Sequence, residues 1–275
     1  MPTKTKVRNM FDSIAGDYDS LNHILSLDVD KIWRNKALKQ IVDAPAPARV
    51  LDLACGTGDF SIAIAKALSR SHKRVVTPIE AHLKAPAKAP VEAQVTSTGF
   101  VTGDSGRSDL MTKGHVTGVD LSEGMLAVMR EKVGKAGLTE MISIEEGDGE
   151  NLRFPDNTFD RVTIAFGIRN FENREKGLRE MLRVLKPGGR LVILELSRPE
   201  NKIIRWFYDL YFLHILPKIG GKVSGDKAAY TYLPTSVAAF PGKKAFMATM
   251  REAGFRTVTH KAFTLGICRM YTGEK

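Results

Sequence analysis

The sequence predicts an α/β protein built on a doubly wound, mostly parallel sheet. Three observations predict it. Short β-like runs alternate with helix-patterned segments from Arg49 to Leu196. The first run passes directly into a glycine turn and a helix, through Val50-Leu-Asp-Leu-Ala-Cys-Gly-Thr-Gly-Asp-Phe-Ser61. The second run, Val116-Thr-Gly-Val-Asp120, ends in an acid, at the strand end where open α/β sheets bind ligands.

Before that pattern begins, Val7, Met10, Phe11, Ile14, Tyr18, Leu21, Leu25, Ile32 and Trp33 recur largely at helical spacing, with a break near Asp28. Residues 1–45 are therefore expected to form a helical cap over the site, and 46–275 the sheet domain. Ala44-Pro-Ala-Pro47 separates the two. Arg49–Leu53 is a strand and Ser61–Leu68 an alanine-rich helix. From 70 to 114 the composition shifts to Ala, Pro, Thr, Ser and Gly without a periodic apolar stripe, which predicts a flexible insert, functional lid or not.

Regular structure resumes at Val116–Asp120. A helix follows, with Ser122 placed to cap it and Met125, Met129 and Val133 on one face. Ile142–Glu145 and Phe159–Ala165 are the third and fourth strands, and Glu175–Leu185 a helix. Lys186-Pro-Gly-Gly189 reads as a tight turn into a strand from Arg190 to Leu196. The remainder holds an aromatic helix after Ile203, a helix over Ala245–Ala253 and two late strands.

Composition narrows the function. The chain has 275 residues, 43% hydrophobic and 26% charged, as in ordinary globular proteins. Two cysteines cannot supply a disulfide framework or a cysteine zinc site, and the six histidines are scattered, so no metal is expected. The N-terminus lacks the apolar stretch of a secretory signal, and no run is long enough to span a membrane. A cytoplasmic setting is expected. The net charge of +10 suits an acidic partner, yet no block of basic residues or RNA-binding aromatic signature accompanies it; no nucleic acid is expected.

The glycine turn identifies the cofactor class. A dinucleotide loop would read G-x-G-x-x-G, but Gly56-Thr-Gly58 continues Asp59-Phe60-Ser61, and no Walker lysine follows. Two acids, Asp52 and Asp59, flank the turn instead. Carboxylates repel a diphosphate and favour a cation. S-adenosylmethionine, with a sulfonium, an amino group and no phosphate, fits. Gly56 and Gly58 let backbone approach it. Asp120, with Leu121 beside it, is placed to take the ribose hydroxyls, and Glu146-Gly-Asp148 follows the third strand.

At this point the chain resembles class I S-adenosylmethionine-dependent methyltransferases, and more narrowly the ubiquinone/menaquinone biosynthesis C-methyltransferase family. The matching stretches are Phe11-Asp-Ser-Ile-Ala with Tyr18-Asp19 and Asn22; Leu51-Asp-Leu-Ala with Gly56-Thr-Gly-Asp59; Phe154-Pro-Asp-Asn-Thr-Phe-Asp160; Phe166-Gly-Ile-Arg-Asn170; and Val184-Leu-Lys-Pro-Gly-Gly-Arg190 with Leu194-Glu-Leu-Ser197. The resemblance implies the Rossmann-like fold of that class and methylation of a ring carbon of a polyprenylated quinol, demethylmenaquinol to menaquinol or the equivalent ubiquinol step. Thr57, Asp120, Asp148 and Gly149 match the family's cofactor positions. Before Phe166 the family often carries a serine where this chain has Ala165. Another small-molecule or lipid acceptor is the alternative, RNA a weaker one, and a noncatalytic cofactor binder a further one.

A ring carbon becomes nucleophilic when an ortho hydroxyl loses its proton, so the site must stabilise a phenolate-like ring. Arg169, permanently charged, is the candidate donor, with Asn170 orienting it or the quinol oxygen. The proton goes to water, His214 or Tyr232. Tyr18 and Asp19 are expected to close over the substrate. The aromatic stretch Ile203–Leu216 packs in the core or a homodimer, or else lines a prenyl groove beside anionic lipid headgroups. Peripheral contact at the inner face of a membrane goes with that second option.

Overall fold

A strand buried on both faces needs helices on both sides, and the first strand shows how the chain supplies them. The computed structural model describes residues 3–16, 18–19, 28–44, 48–70, 114–211 and 227–275. Strand β1, Arg49–Leu53, is buried at every position after the first. Val50 points into one apolar cluster, while Leu51 and Leu53 point into the other.

Three helices close the first cluster. They are α2 (Val29–Ile41) through Trp33, Ala37 and Ile41; α3 (59–70) through Phe60, Ile64 and Leu68; and α4 (Glu123–Lys135) through Leu126, Met129 and Val133. Before them in the chain comes α1 (Lys4–Ile14), which lies against α4. The opposite cluster is closed by α5 (Arg174–Val184) through Leu178 and Met181, and by a later helix through Phe246 and Met250. Each of the larger aliphatic and phenyl side chains among them, fully removed from water, contributes roughly 1.5–3 kcal/mol.

The strands after β1 are β2 (His115–Asp120), β3 (Ile142–Glu146), β4 (Phe159–Ala165), β5 (Leu185–Leu196), β6 (Arg256–Phe263) and β7 (Cys268–Glu274). Their order in the sheet is β3-β2-β1-β4-β5-β7-β6. All pairings are parallel except those of β7, which runs antiparallel to both β5 and β6. After β3 the chain returns across β1 to lay down β4, so the winding reverses between β1 and β4. That switch point opens a crevice at the carboxyl ends of the strands.

Several expected boundaries hold within a residue, and Ser122 does cap α4, its hydroxyl accepting from the Met125 N–H at 3.1 Å. Two segments differ. Strand β5 begins at Leu185 rather than Arg190: Lys186–Gly189 bulges out of the ladder, with pairing passing from Phe159↔Leu185 to Arg161↔Arg190. A helix that the pattern did not announce, α7 (Lys227–Ala239), follows α6 (Lys202–Leu210). Pro234 lies inside it, and an internal proline reads as a break in any periodic scan. The chain ends through α8 (Lys243–Glu252) and the β6–β7 pair. The insert expected at 70–114 lies almost wholly outside the described residues.

Candidate functional site

The crevice encloses, with its open mouth, about 770 Å³. Small-molecule sites typically span about 300–1,000 Å³. One wall is the turn after β1, another the β2 end with Asp120, Leu121 and Ser122, and a third the loop of Gly147, Asp148 and Gly149. Phe166, Gly167 and Asn170 come from the β4 end, and Lys4, Val7, Phe11 and Tyr18 roof it from the N-terminal segment.

The two glycines of the turn do different work. Gly56 has φ +56°, and a Cβ there would meet nothing nearer than the Tyr18 ring at 3.9 Å. That leaves open space beside a left-handed backbone position, room for a ligand to approach. Gly58 has φ +84°, and its Cβ would stand 2.4 Å from Met129 Cγ. Its bareness serves the packing of the turn against α4, not ligand contact.

Asp120 is pre-set by backbone donors. The Gly56 N–H donates to its Oδ2 at 2.9 Å, and the Ser122 N–H to its Oδ1 at 2.9 Å. Burial still raises its pKa above the usual carboxylate range, against these hydrogen bonds. Each oxygen retains lone-pair capacity toward the crevice. Asp148 lies opposite, its Oδ1 accepting from the Glu150 N–H at 2.9 Å and its Oδ2 from Lys4 Nζ at 2.6 Å. Lys4 also reaches Glu150 at 2.9 Å. Gly149 admits an aromatic edge: its Cβ would fall 2.6 Å from Phe171 Cζ.

The flanking acids are already engaged. Asp52 is only 1% exposed, and accepts from Ser61 Oγ at 2.6 Å. Burial pushes its pKa up to about 7, opposed by that hydrogen bond and by Arg34. Asp59 accepts from Lys132 and, at 3.4 Å, from Arg34 Nη1. Asp52, Thr57, Asp59 and Arg34 together line a narrow recess that adjoins the crevice at Gly56 and Tyr18.

Thr57 and Asp19, expected on the cofactor and the substrate, bind each other at 2.5 Å. Lys132 Nζ joins them, 2.7 Å from Asp19 Oδ2. Tyr18 does line the crevice, edge-on to Phe11 with ring centroids 5.9 Å apart.

Arg169 sits differently from its expected role. Its Nη1 pairs with Glu195 Oε1 at 2.9 Å, its backbone N–H donates to Glu195 Oε2 at 3.1 Å, and its Nε donates to Ser236 Oγ at 3.3 Å. Burial alone would lower its pKa; the Glu195 charge and hydrogen bond, with Tyr18 and Tyr232 nearby, together outweigh that and raise it. The guanidinium is thus charged and already neutralised by a buried partner. Its neighbour Asn170 lines the crevice, and Asn170 Oδ1 accepts from Tyr232 Oη at 2.8 Å. Burial raises the Tyr232 pKa, so the phenol stays a donor near neutrality and is a poor proton acceptor. His214 lies outside the described residues.

Sequence reasoning passed over four residues that hold this site: Lys4, Asp12, Lys132 and Glu195. Asp12 accepts from Ser122 Oγ at 2.5 Å and from the Gly124 N–H at 3.0 Å, tying α1 to the start of α4. Glu195 lies in the matching stretch Leu194-Glu-Leu-Ser197, and its charge within the apolar run Leu191-Val-Ile-Leu-Glu-Leu196 was the physical signal. Among the described residues, no cluster of His, Cys, Asp and Glu is arranged to hold a metal, and no helix is long and apolar enough to cross a membrane.

Comparison with known proteins meets this geometry. Residues 2–275 match the model of the ubiE/COQ5 methyltransferase family. A ubiquinone/menaquinone biosynthesis C-methyltransferase UbiE of Geobacter sulfurreducens is 43% identical over 270 residues, covering 98% of this chain and 88% of that one. A demethylmenaquinone methyltransferase of Bacteroides fragilis is 38% identical over 270 residues, with 98% and 92% coverage. Among solved structures, a SAM-dependent methyltransferase of Thermotoga maritima superposes with TM-score 0.56 at 17% identity, covering 97% of this chain and 99% of that one, a likeness of fold.

Proposed function

The chain belongs to the ubiE/COQ5 methyltransferase family, and from that premise we propose that it methylates a ring carbon of a polyprenylated quinol, with S-adenosylmethionine as methyl donor. The observation that carries this reading is the meeting, in one crevice, of the Gly56–Asp120 corner and the Asn170–Tyr232 pair.

The residues present fit that cofactor. Open space beside the Gly56 backbone admits a ligand, Asp120 offers a pre-set carboxylate for a diol, and Asp148 and Glu150 keep the crevice acidic. Leu121 and Phe171 supply apolar surface for a flat ring. When bound, S-adenosylmethionine supplies an electrophilic methyl group on a sulfonium sulfur.

The chain's own residues prepare the acceptor. Tyr232 fixes the Asn170 amide by holding its oxygen, which leaves the Asn170 Nδ2 hydrogens to donate to an oxygen of the quinol ring. Such a donor, fixed before the reaction, favours the ring oxygen as it gains negative charge. Arg169 acts one step back: its ion pair with Glu195 ties the Phe166–Asn170 segment to β5 and sets where Asn170 stands. No side chain of the described crevice offers itself as a strong base, and proton loss is assigned to water. Contact with a membrane surface, where a polyprenylated substrate resides, and assembly as a homodimer belong to the same reading.

The test is methyl transfer from labelled S-adenosylmethionine. The purified protein is offered chemically reduced demethylmenaquinone or, separately, a 6-methoxy-benzoquinol lacking the ring methyl. Label on a ring carbon of either product supports the reading and identifies the ring accepted. Cofactor binding without label in either product would sink it.

A further inference from the structure

Helix α6, Lys202–Leu210, carries its apolar residues on the outside. Ile203, Trp206, Phe207 and Leu210 recur at i, i+3, i+4 and i+7, the spacing of a single helical face. They are 70%, 61%, 60% and 40% exposed. A surface helix ordinarily turns that face inward. Here the inward position belongs to Tyr208, which is buried and within electrostatic reach of Arg169. Tyr208 thus brings the helix within electrostatic reach of Arg169, next to Asn170 of the crevice.

Charge accompanies the apolar face. Lys202, exposed, borders it at the start of the helix, while Arg205 lies on the opposite, half-buried side, its guanidinium donating to the Pro199 and Glu200 carbonyls. Arg198 pairs with Asp209 on the polar flank. The whole chain is +10. An amphipathic helix with aromatic residues on one side and cations beside them is the form that settles into a lipid interface.

We propose that α6 is the membrane-docking element, seating Trp206 and Phe207 among the acyl chains of an anionic bilayer with Lys202 at the headgroups. This rests on the quinol reading in one respect only: a prenylated substrate leaves the bilayer, so a docking face beside the crevice shortens its path. The occupant is lipid rather than protein because the exposed Lys202 borders the face on a chain of net charge +10, and Tyr208 of the same helix is within electrostatic reach of Arg169 at the site proposed for a lipid-tailed ligand.

The experiment uses the full chain with vesicles of phosphatidylcholine, alone or mixed with phosphatidylglycerol. The chain has two tryptophans, and Trp33 is buried, so emission change on vesicle addition reports Trp206. The expected result is a blue shift and co-flotation with the phosphatidylglycerol vesicles. Trp206→Ser with Phe207→Ser should cut vesicle binding at least tenfold, and Lys202→Glu severalfold, at unchanged thermal midpoints. Methylation of a short-tailed, detergent-free quinol should be unaltered in these variants, while turnover of the long-tailed quinol in vesicles falls with binding. Vesicle binding is read without chemistry, so failure of the methyl-transfer reading leaves this test intact. No flotation of the wild type would overturn the proposal. So would unchanged binding by the double variant, or a halving of its molar mass in solution, which would make the face a contact between copies.

Discussion

Asp52 makes a sharp test of how burial controls this site. It is 1% exposed in β1, and its pKa rises from 3.8 to about 7, chiefly by desolvation. Because the folded value lies above the unfolded one, the fold prefers the protonated acid. That stability is complete below about pH 3.8 and is lost as pH rises through about 7. At about 1.4 kcal/mol per pKa unit, the wild type should lose about 2.5 kcal/mol on this account between pH 5 and pH 8. Asp52→Asn keeps an oxygen to accept from Ser61 Oγ and cannot ionise. Its stability relative to wild type should therefore climb by about 2.5 kcal/mol over that interval, a relative shift of about 1 M in urea midpoint. Urea unfolding of both proteins at the two pH values, without cofactor, reads this directly, since other titrating groups are common to both. A difference independent of pH, or one that shrinks toward pH 8, would refute the reasoning and place a compensating cation beside Asp52.

Asn170→Ala should lower kcat by about 10²–10³ with cofactor affinity retained, as loss of a fixed donor to a developing oxyanion does; Tyr232→Phe, which frees the Asn170 amide, should show a smaller loss of the same kind, both read in steady-state kinetics. Glu195→Ala leaves the Arg169 charge buried without its partner and should destabilise the fold by about 3–5 kcal/mol in denaturant titration. Gly58→Ala meets both a left-handed φ and Met129 Cγ at 2.4 Å, so it should cost about 1–3 kcal/mol, and adding Met129→Ala should relieve the clash but not the backbone strain.

What the sequence disclosed and what it hid divide along a physical line. Strand and helix identity in 49–196 was legible because each element carries its own period, and β1 and β4 match their expected bounds to the residue. The meeting of Gly56 with Asp120 was legible because they stand at chain positions that topology must bring together. The long-range polar partnerships were not. Thr57 with Asp19, Arg169 with Glu195 and Lys4 with Asp148 join residues distant along the chain, and nothing local to either member announces the other. Arg169 shows the consequence: the motif announces its charge, and only the fold shows the buried carboxylate that pairs with it.

The same partnerships explain how the site gains its shape. β1 and β4 are neighbours, and each leaves the sheet through a left-handed residue that is not glycine: Ala54 at φ +49° and Phe166 at φ +61°. Such residues cost roughly 1–3 kcal/mol each and persist only where their surroundings fix them. Here the surroundings are visible. Gly167 lies so close to Ala54 that a Cβ on it would fall 2.5 Å from the Ala54 Cβ, and the Phe166 N–H is held by the Leu194 carbonyl at 2.7 Å. Arg169, clamped to Glu195, also donates to the Phe166 carbonyl. The two turns thus brace each other across the switch point, one carrying Gly56 and the other Asn170 into the crevice. The buried Arg169–Glu195 pair is then best understood as the clamp on this strained corner: backbone from Phe166 to Asn170 cannot relax without unpairing it, so the pair fixes where Asn170 stands in the crevice.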